Sequence, residues 1–140
     1  MFTYVIKTHR PETQYDQPHF FILNKGLNSG KPLLNPCPNC YVCLADSTRN
    51  TDQLYWVAFA LWKSKILRRE LKGSVIPFIT IGDYKSQLLA HLKTALTQGV
   101  KFKKYVKSLQ TLEKQEKQMQ LTMELIQSAR MAFFKRFFAA

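Results

Sequence analysis

Acidic side chains and long apolar segments are both scarce in this chain of 140 residues. Nine Asp and Glu residues stand against 21 Lys and Arg, so the formal net charge is +12 at pH 7. The longest nearly apolar stretch, residues 54–62, has about half the length that a membrane-spanning helix needs. The first residues also lack the basic and apolar regions of a signal peptide. We therefore expect one basic domain that is cytoplasmic and has no membrane span.

Cysteine is also rare, and its three copies, Cys37, Cys40 and Cys43, lie close together. An odd, clustered set does not fit the disulfide framework of a small secreted domain and indicates a reducing compartment. The gap between Cys37 and Cys40 suits two thiolates on one Zn²⁺, with Cys43 plus His19 or His9 as candidate further ligands. The alternatives are a redox pair, or two loop thiols followed by a buried strand residue. Since no second such pair follows, we expect no metal and no cofactor.

Residue patterns typical of enzymes are missing from the sequence. None of the histidines, at His9, His19 and His91, has a nucleophile or carboxylate at a recognisable catalytic spacing. The loop from Asn24 to Pro32 contains a Gly-Lys pair that is similar to a nucleotide-binding loop. However, its two glycines are one residue too close, and Pro32 stands where Ser or Thr is required. We expect a protein that is not an enzyme and has no small-molecule substrate.

The distribution of apolar and turn-forming residues predicts an α+β fold. Four strands are predicted, near residues 2–6, 19–23, 40–45 and 74–81. Two helices are predicted before residue 100, at 52–72 and 83–98. Asn50 or Thr51 is the expected cap of the first helix and Asp83 of the second, while Pro77 makes the last strand an edge strand or a bulge. The expected architecture is a small, mostly antiparallel sheet covered by two helices, with a long C-terminal helix.

The segment after residue 100 contains neither Gly nor Pro and predicts one long amphipathic helix. Its apolar seam consists of positions 102, 105, 109, 112, 116, 119, 123, 126, 130, 133 and 137, of which nine are apolar. Such a helix extends about 55–60 Å, which exceeds the width of about 30 Å of a small domain. It therefore projects, breaks near Glu113–Gln120, or pairs with another chain. We expect residues 1–100 to form the basic α+β domain and residues 101–140 the helix, within one structural unit.

The excess positive charge is concentrated between residues 63 and 107. One group of cations ends the first long helix: Lys63, Lys65, Arg68, Arg69 and Lys72. A second group opens the last helix: Lys101, Lys103, Lys104 and Lys107. Lysines at the start of a helix oppose its dipole, which suggests an external anion as the reason for their presence. Lys25 and Lys31 in the Gly-rich loop are further candidates for phosphate contact, the alternative being a hairpin connection whose glycines supply positive φ.

These cations predict a non-enzymatic nucleic-acid-binding accessory protein. Because no motif for reading base edges is visible, the binding is expected to depend on phosphates and to be largely independent of sequence. Trp62, Phe102 and Tyr105 are candidates for stacking on bases, with packing in the core as the alternative. A second hypothesis is a protein-interaction or assembly protein that acts through the helix at 102–137, as a homo-oligomer or with another protein. The aromatic end, residues 131–140, also suits a membrane interface.

Three stretches of the sequence carry a resemblance to a known family. They are Asn24-Lys-Gly-Leu-Asn-Ser-Gly-Lys-Pro-Leu, Pro36-Cys-Pro-Asn-Cys-Tyr-Val and Gly73-Ser-Val-Ile-Pro-Phe-Ile. Over about residues 1–100 the chain resembles a small uncharacterised domain family of gut bacteria and their phages and mobile elements. The family has no established activity or site residues. The resemblance therefore implies only a role in a phage or mobile element, in DNA handling or in the takeover of a host.

Overall fold

The computed structural model describes residues 2–139, and the chain divides into two units, Met1–Gln98 and Gly99–Ala140. We call these the α+β unit and the helical unit. The elements are β1 Tyr4–Thr8, β2 His19–Leu23, β3 Pro32–Leu33, β4 Cys40–Ala45, α1 Thr48–Lys63, a 3₁₀ helix Ile66–Glu70, α2 Ile81–Thr97 and α3 Gly99–Ala139. The four strands form one antiparallel sheet in the order β1-β4-β2-β3. The predicted α+β class, with its sheet, two covering helices and long C-terminal helix, is confirmed.

The centre of the sheet is β4, and all six of its residues are buried. Successive side chains of a strand point to opposite faces, so β4 contributes to two separate layers. On one face, Val42 and Leu44 form a cluster with Phe21 that is covered by Tyr15 and Leu33. On the other face lie Phe20, Ile22 and Cys43, toward the side on which α1 packs. The predicted strands at 19–23 and 40–45 are confirmed, and β1 lies two residues later than predicted.

Both helices of the α+β unit begin earlier than predicted because other residues cap them. Ser47 caps α1 by accepting the backbone N–H of Asn50 at 3.2 Å, so the expected cap at Asn50 or Thr51 is wrong. Thr80 caps α2 by accepting the backbone N–H of Asp83 at 3.2 Å, so the expected cap at Asp83 is also wrong. A side-chain oxygen at this position satisfies an N–H group that the helix leaves unpaired.

The first helix also ends earlier than the predicted residue 72. It stops at Lys63, because Lys65 adopts a left-handed conformation with φ of 62°, and residues 66–70 continue as a 3₁₀ helix. The seam of α2, by contrast, agrees with the sequence, and all four of its predicted inward residues are buried: Tyr84, Leu88, Leu92 and Ala95.

The predicted strand at 74–81 is wrong, since the chain there makes only isolated bridges. Phe78 exchanges two backbone hydrogen bonds with Lys72, each 2.9 Å long, and Pro77 accepts one from Gly26. Pro77 has no N–H to donate to a ladder, and the φ of Gly73, 97°, turns the chain before the segment. Ile81 already belongs to α2. The fourth strand of the sheet is instead the two-residue β3, inside a region predicted as loop.

The helical unit is one uninterrupted helix, α3, of 41 residues and about 60 Å. The break considered near Glu113–Gln120 is absent, because the helix continues through that polar stretch. No residue of α3 that the structure describes is buried. Over residues 2–139, no helix is long and apolar enough to cross a membrane.

The core of the α+β unit holds titratable groups in their neutral forms. Cys43 is fully buried in β4, and this burial raises the pKa of its thiol to about 12 from an ordinary value of 9.0. Burial also raises the pKa of Tyr84 well above its ordinary value, with Cys43 and Tyr4 adding to the effect. Among the described residues, the hydroxyl of Tyr84 has no hydrogen-bond partner. Both groups therefore oppose ionisation while the protein is folded.

We expect the folded α+β unit to lose stability as the pH rises from about 9 toward 12, because the unfolded Cys43 ionises near 9.0 and the folded one only near 12. In that window the unfolded state binds fewer protons, so each such thiol lowers the free energy of unfolding by about 1.4 kcal/mol per pH unit. Urea unfolding between about pH 8 and 10 measures this slope. A Cys43→Ala variant should show a shallower slope than the parent. Equal slopes in the two proteins would contradict the assignment.

Candidate nucleic-acid interface

The Gly-rich loop is a tight connection between β2 and β3. Gly26 and Gly30 both have positive φ, 95° and 97°, which residues with a Cβ rarely adopt. Leu23 and Lys31 close the hairpin through a backbone hydrogen bond of 3.0 Å, and Gly30 donates another to Leu23 at 2.7 Å. Within the loop, Ser29 donates its backbone N–H to Gly26 at 3.1 Å, which makes residues 26–29 a β-turn. The hairpin connection with glycines at positive φ is therefore confirmed, while phosphate contact by Lys25 and Lys31 stays a prediction.

A cavity of about 140 Å³ lies between this turn and the segment that ends α1. It is lined by Leu27, Asn28, Ser29, Trp62, Lys63, Lys65, Leu67 and Arg68. The turn approaches the 3₁₀ helix so closely that a Cβ on Gly30 would collide with the side chain of Leu67. Leu67 is itself buried. We call this cavity the basic pocket, since three of its lining residues are cations.

The cations reach one pocket because α1 ends abruptly. The left-handed conformation of Lys65 closes a turn in which its backbone N–H donates to Trp62 at 3.1 Å, and Arg68 donates to Lys65 at 3.2 Å. A left-handed conformation is uncommon for a residue other than Gly, Asn or Asp, and such residues are enriched at functional sites. The tight turn sets Lys63, Lys65 and Arg68 around the same space, whereas a continuing helix would have spread them over several faces.

Trp62 is half-buried beside the pocket and interacts with two ammonium groups. Lys31 Nζ lies 5.1 Å and Lys63 Nζ 4.8 Å from the centre of its ring system. Both distances are typical of cation–π contacts. Lys31 of the loop and Lys63 of α1 thus meet at one aromatic side chain. We define the basic cluster as Lys31, Lys63, Lys65 and Arg68.

The other predicted cations of the α+β unit lie nearby or in ion pairs. Lys25 of the Gly-rich loop and Lys72 are both bridge partners of Phe78. The backbone at Phe78 therefore lies beside both of these residues. Lys72 Nζ is 3.3 Å from Asp83, and Arg69 is 3.7 Å from Glu70. The hydrogen bond with Thr80 and the proximity of Lys72 lower the pKa of the half-buried Asp83. Because Arg69 and Lys72 are paired with carboxylates, these two residues add less to the local positive charge than unpaired cations would.

The second predicted group of cations lies in the helical unit. Lys101, Lys103, Lys104 and Lys107 are all exposed, in the first turns of α3. At about 100° per residue, the last three of them fall within about 100° of arc. Of the two aromatic candidates among them, Tyr105 is 53% exposed and Phe102 is half-buried. The first turns of α3 therefore have a positive face, and the accessible ring of Tyr105 lies outside the arc of these three lysines.

The cysteines do not form the set that a metal ion would need. Cys40 and Cys43 are three residues apart in β4, so their side chains point to opposite faces of the sheet. Cys40 Sγ donates to the carbonyl oxygen of Cys37 at 3.1 Å, and Cys43 lies in the core. Across residues 2–139, no group of three or more His, Cys, Asp or Glu side chains could hold a metal ion. The zinc alternative built on Cys37, Cys40 and Cys43 is therefore wrong.

Sequence reasoning missed both the enclosure of the basic pocket and a second cavity of about 690 Å³. The enclosure depends on the left-handed Lys65 and on the contact between Gly30 and Leu67, for which the sequence carries no recognisable signal. The second cavity had a signal. Five of its lining residues have the spacing of one helical face, i, i+3, i+4, i+7 and i+8: Thr48, Thr51, Asp52, Tyr55 and Trp56.

Comparisons with known proteins address the resemblance seen in the sequence. Neither the curated proteins nor the solved structures gave a match to the chain. A family model matches residues 6–136, well beyond the first 100 residues that carried the resemblance. The model describes a family of unknown function, which agrees with the expectation of an uncharacterised family. With nearly its whole length matched, the chain belongs to the family of unknown function DUF6943.

Proposed function

We propose that this protein is a non-enzymatic accessory protein that binds nucleic acid through phosphate contacts at the basic cluster. The observation that carries the proposal is the basic pocket, where Lys63, Lys65 and Arg68 surround a cavity of about 140 Å³ beside a β-turn. A cavity of this size accommodates a phosphate group. The central residues of the turn, Leu27 and Asn28, also line the pocket, and central turn amides have no partner inside a turn. Such amides are suitable donors to an anion.

The surroundings of the pocket favour a polymer over an isolated anion. Trp62, whose ring system lies within cation–π distance of Lys31 and Lys63, is the aromatic side chain at the pocket on which a neighbouring base would stack. The lysines that open α3 supply a second set of phosphate contacts, and the net charge of +12 attracts polyanions at long range. The three free thiols fit a reducing cytoplasm, and the proposed setting is DNA handling in a phage or mobile element.

The salt dependence of binding tests this proposal. If about six phosphates are neutralised, the logarithm of the association constant should fall with the logarithm of salt concentration at a slope near −5 on duplex DNA. Fluorescence anisotropy with labelled duplex and single-stranded oligonucleotides of unrelated sequence measures that slope. We expect similar affinities among sequences of one strand type. A flat salt response, or no binding at low salt, would overturn the proposal.

Two charge-matched variants separate the basic cluster from general attraction. Lys65→Gln combined with Arg68→Gln removes two cations of the pocket, and we expect the slope to become shallower by about two. Lys85→Gln combined with Lys93→Gln removes the same charge from exposed positions of α2 and should change the slope little. Equal losses in both double variants would contradict a site at the pocket. Reversing the charges of Lys101, Lys103, Lys104 and Lys107 tests the second set in the same assay.

A second candidate function, assembly, is favoured by the exposed apolar side chains of α3. The helix is continuous, and its largest exposed apolar residues are Leu112, Met119, Leu121, Met123, Leu125, Ile126, Met131, Phe133, Phe134, Phe137 and Phe138. Six of them, Leu112, Met119, Met123, Ile126, Phe133 and Phe137, lie on the predicted seam, and such a row over several heptads is typical of a helix that pairs with another one. In this alternative the protein is a homo-oligomer, a structural component or an inhibitor of a host enzyme, and it acts through α3.

A further inference from the structure

The second cavity of the α+β unit is a groove of about 690 Å³, which is within the range of small-molecule sites. It is lined by Tyr15, Asp16, Gln17, Pro18, His19, Phe20, Leu34, Thr48, Thr51, Asp52, Tyr55 and Trp56. The loop before β2 forms one side, and the first half of α1 forms the other. We call it the aromatic groove, because five of these residues carry aromatic rings. The basic pocket and the aromatic groove share no lining residue.

The rings of the aromatic groove are held by contacts with one another. Tyr55 makes edge-to-face contacts with Phe20 at 5.6 Å and with Trp56 at 5.4 Å, and Tyr15 lies 5.4 Å from His19. These separations between ring centres are within the range of favourable aromatic pairs. Because several neighbours support each ring, the walls of the groove are already in place without a ligand.

Hydrogen bonds at the loop side hold two of the lining residues, Tyr15 and His19. The hydroxyl of Tyr15 is 2.9 Å from Nδ1 of His9, so this tyrosine presents its ring to the groove. Nδ1 of His19 is 2.8 Å from the carbonyl oxygen of Gln17, so it donates to that oxygen. The carboxylates of Asp16 and Asp52 add acceptors at the two sides.

The charge of the groove is opposite to that of the whole chain. Its lining includes Asp16 and Asp52 but no Lys or Arg, in a protein with 21 of these cations and nine acidic residues. One of its rings already interacts with a cation at its edge, since Lys7 Nζ lies 5.6 Å from the centre of Tyr15. Aromatic faces combined with carboxylates attract an organic cation, whose charge meets the carboxylates while its body packs on the rings.

We propose that the aromatic groove is a binding site for an organic cation, that is, a guanidinium, amidinium or ammonium group carried on a flat or apolar body. Asp16 and Asp52 pair with the charged group, and Tyr55 and Trp56 pack against the body of the ligand. The site is separate from the basic cluster, so a cationic ligand and a nucleic acid bind different parts of the α+β unit.

Three probes of nearly equal shape test the charge preference: benzamidine, benzamide and benzoate. Trp62→Phe leaves Trp56 as the sole tryptophan, whose fluorescence then reports the groove, and titration calorimetry on the unchanged protein provides a second readout. We expect benzamidine to bind and to change the Trp56 signal, with benzamide at least about tenfold weaker and benzoate undetected. Equal binding of benzamidine and benzamide, tighter binding of benzoate, or no binding of any probe would overturn the proposal.

Carboxamide variants locate the site. Asp52→Asn and Asp16→Asn should each weaken benzamidine binding by about tenfold, while Asp46→Asn, which makes the same change of charge outside the groove lining, should leave it unaltered. Loss of binding in all three variants alike would mean that net charge, not the groove, determines the affinity, and would contradict the site. Oligonucleotide binding by Asp52→Asn should match that of the unchanged protein, so the two proposals succeed or fail separately.

Discussion

Replacing Gly30 with alanine is expected to lower the free energy of unfolding by about 2–4 kcal/mol. Part of the loss is conformational, because the φ of 97° at Gly30 is unfavourable for any residue with a Cβ. The larger part is steric, because the new methyl group would collide with the side chain of Leu67. Leu67 is only 2% exposed, so its buried side chain must change rotamer and repack to make room for the methyl group. Urea or thermal unfolding of the full chain, followed by circular dichroism, measures the change.

Gly26→Ala is a matched control for this variant. Gly26 lies in the same loop with nearly the same φ, 95°, but a Cβ there would meet no atom within 4 Å. We expect this variant to lose only the conformational part, about 1 kcal/mol. The difference between the two variants then measures how tightly the loop packs on the 3₁₀ helix. Equal losses would show that this close contact does not exist in solution.

Met119→Lys combined with Met123→Lys is expected to abolish self-association through α3. The two methionines are 68% and 62% exposed and lie on the apolar seam one turn apart. In a paired helix they would be buried, and burial of each contributes about 1.5–3 kcal/mol. A symmetric dimer buries them twice, so we expect its dissociation constant to rise at least about a thousandfold. Sedimentation velocity over a range of concentrations should show a dimer for the unchanged protein and a monomer for the variant.

The control for the seam places the same charges on the polar side of the same helix. Gln118→Lys combined with Thr111→Lys adds two lysines seven residues apart at exposed positions outside the seam. We expect this variant to dimerise like the unchanged protein. A monomer at every concentration without any substitution, or an equal loss in both variants, would rule out pairing through the seam. Since the basic cluster is not altered, oligonucleotide binding by a monomeric variant separates the two candidate functions.

Elements with a continuous local pattern could be predicted from the sequence. The apolar run of β4 predicts a buried strand, and the spacing of Tyr84, Leu88 and Leu92 predicts a helix. Both elements form as predicted. The segment 74–81 also has a strand-like composition, yet Val75 is 89% exposed and the segment makes only bridges. A β-strand needs a suitable composition and also a neighbouring strand with which to pair. The residue pattern of one segment does not show whether the fold places such a strand beside it.

The candidate site was predictable in its charges but not in its shape. The sequence identified Lys31, Lys63, Lys65 and Arg68, because a surplus of one sign is visible by counting. Their arrangement around one cavity depends on a change of backbone direction at Lys65, within a segment whose spacing predicted a longer helix. Lysine rarely adopts a left-handed conformation, so its presence in the sequence does not predict one. Propensity alone could not find this turn, because tertiary packing imposes it.

The strand order has a consequence for how the chain acquires its structure during synthesis. In the described sheet, β1 pairs with β4 alone, while β2 and β3 follow one another in a hairpin. β1 therefore leaves the ribosome before its partner strand and remains unpaired until residues 40–45 have also emerged. Closing this pair joins residues 33 to 41 positions apart, which makes it a late and slow step relative to the local hairpin. Until then, the backbone of β1 is exposed to pairing with other nascent chains.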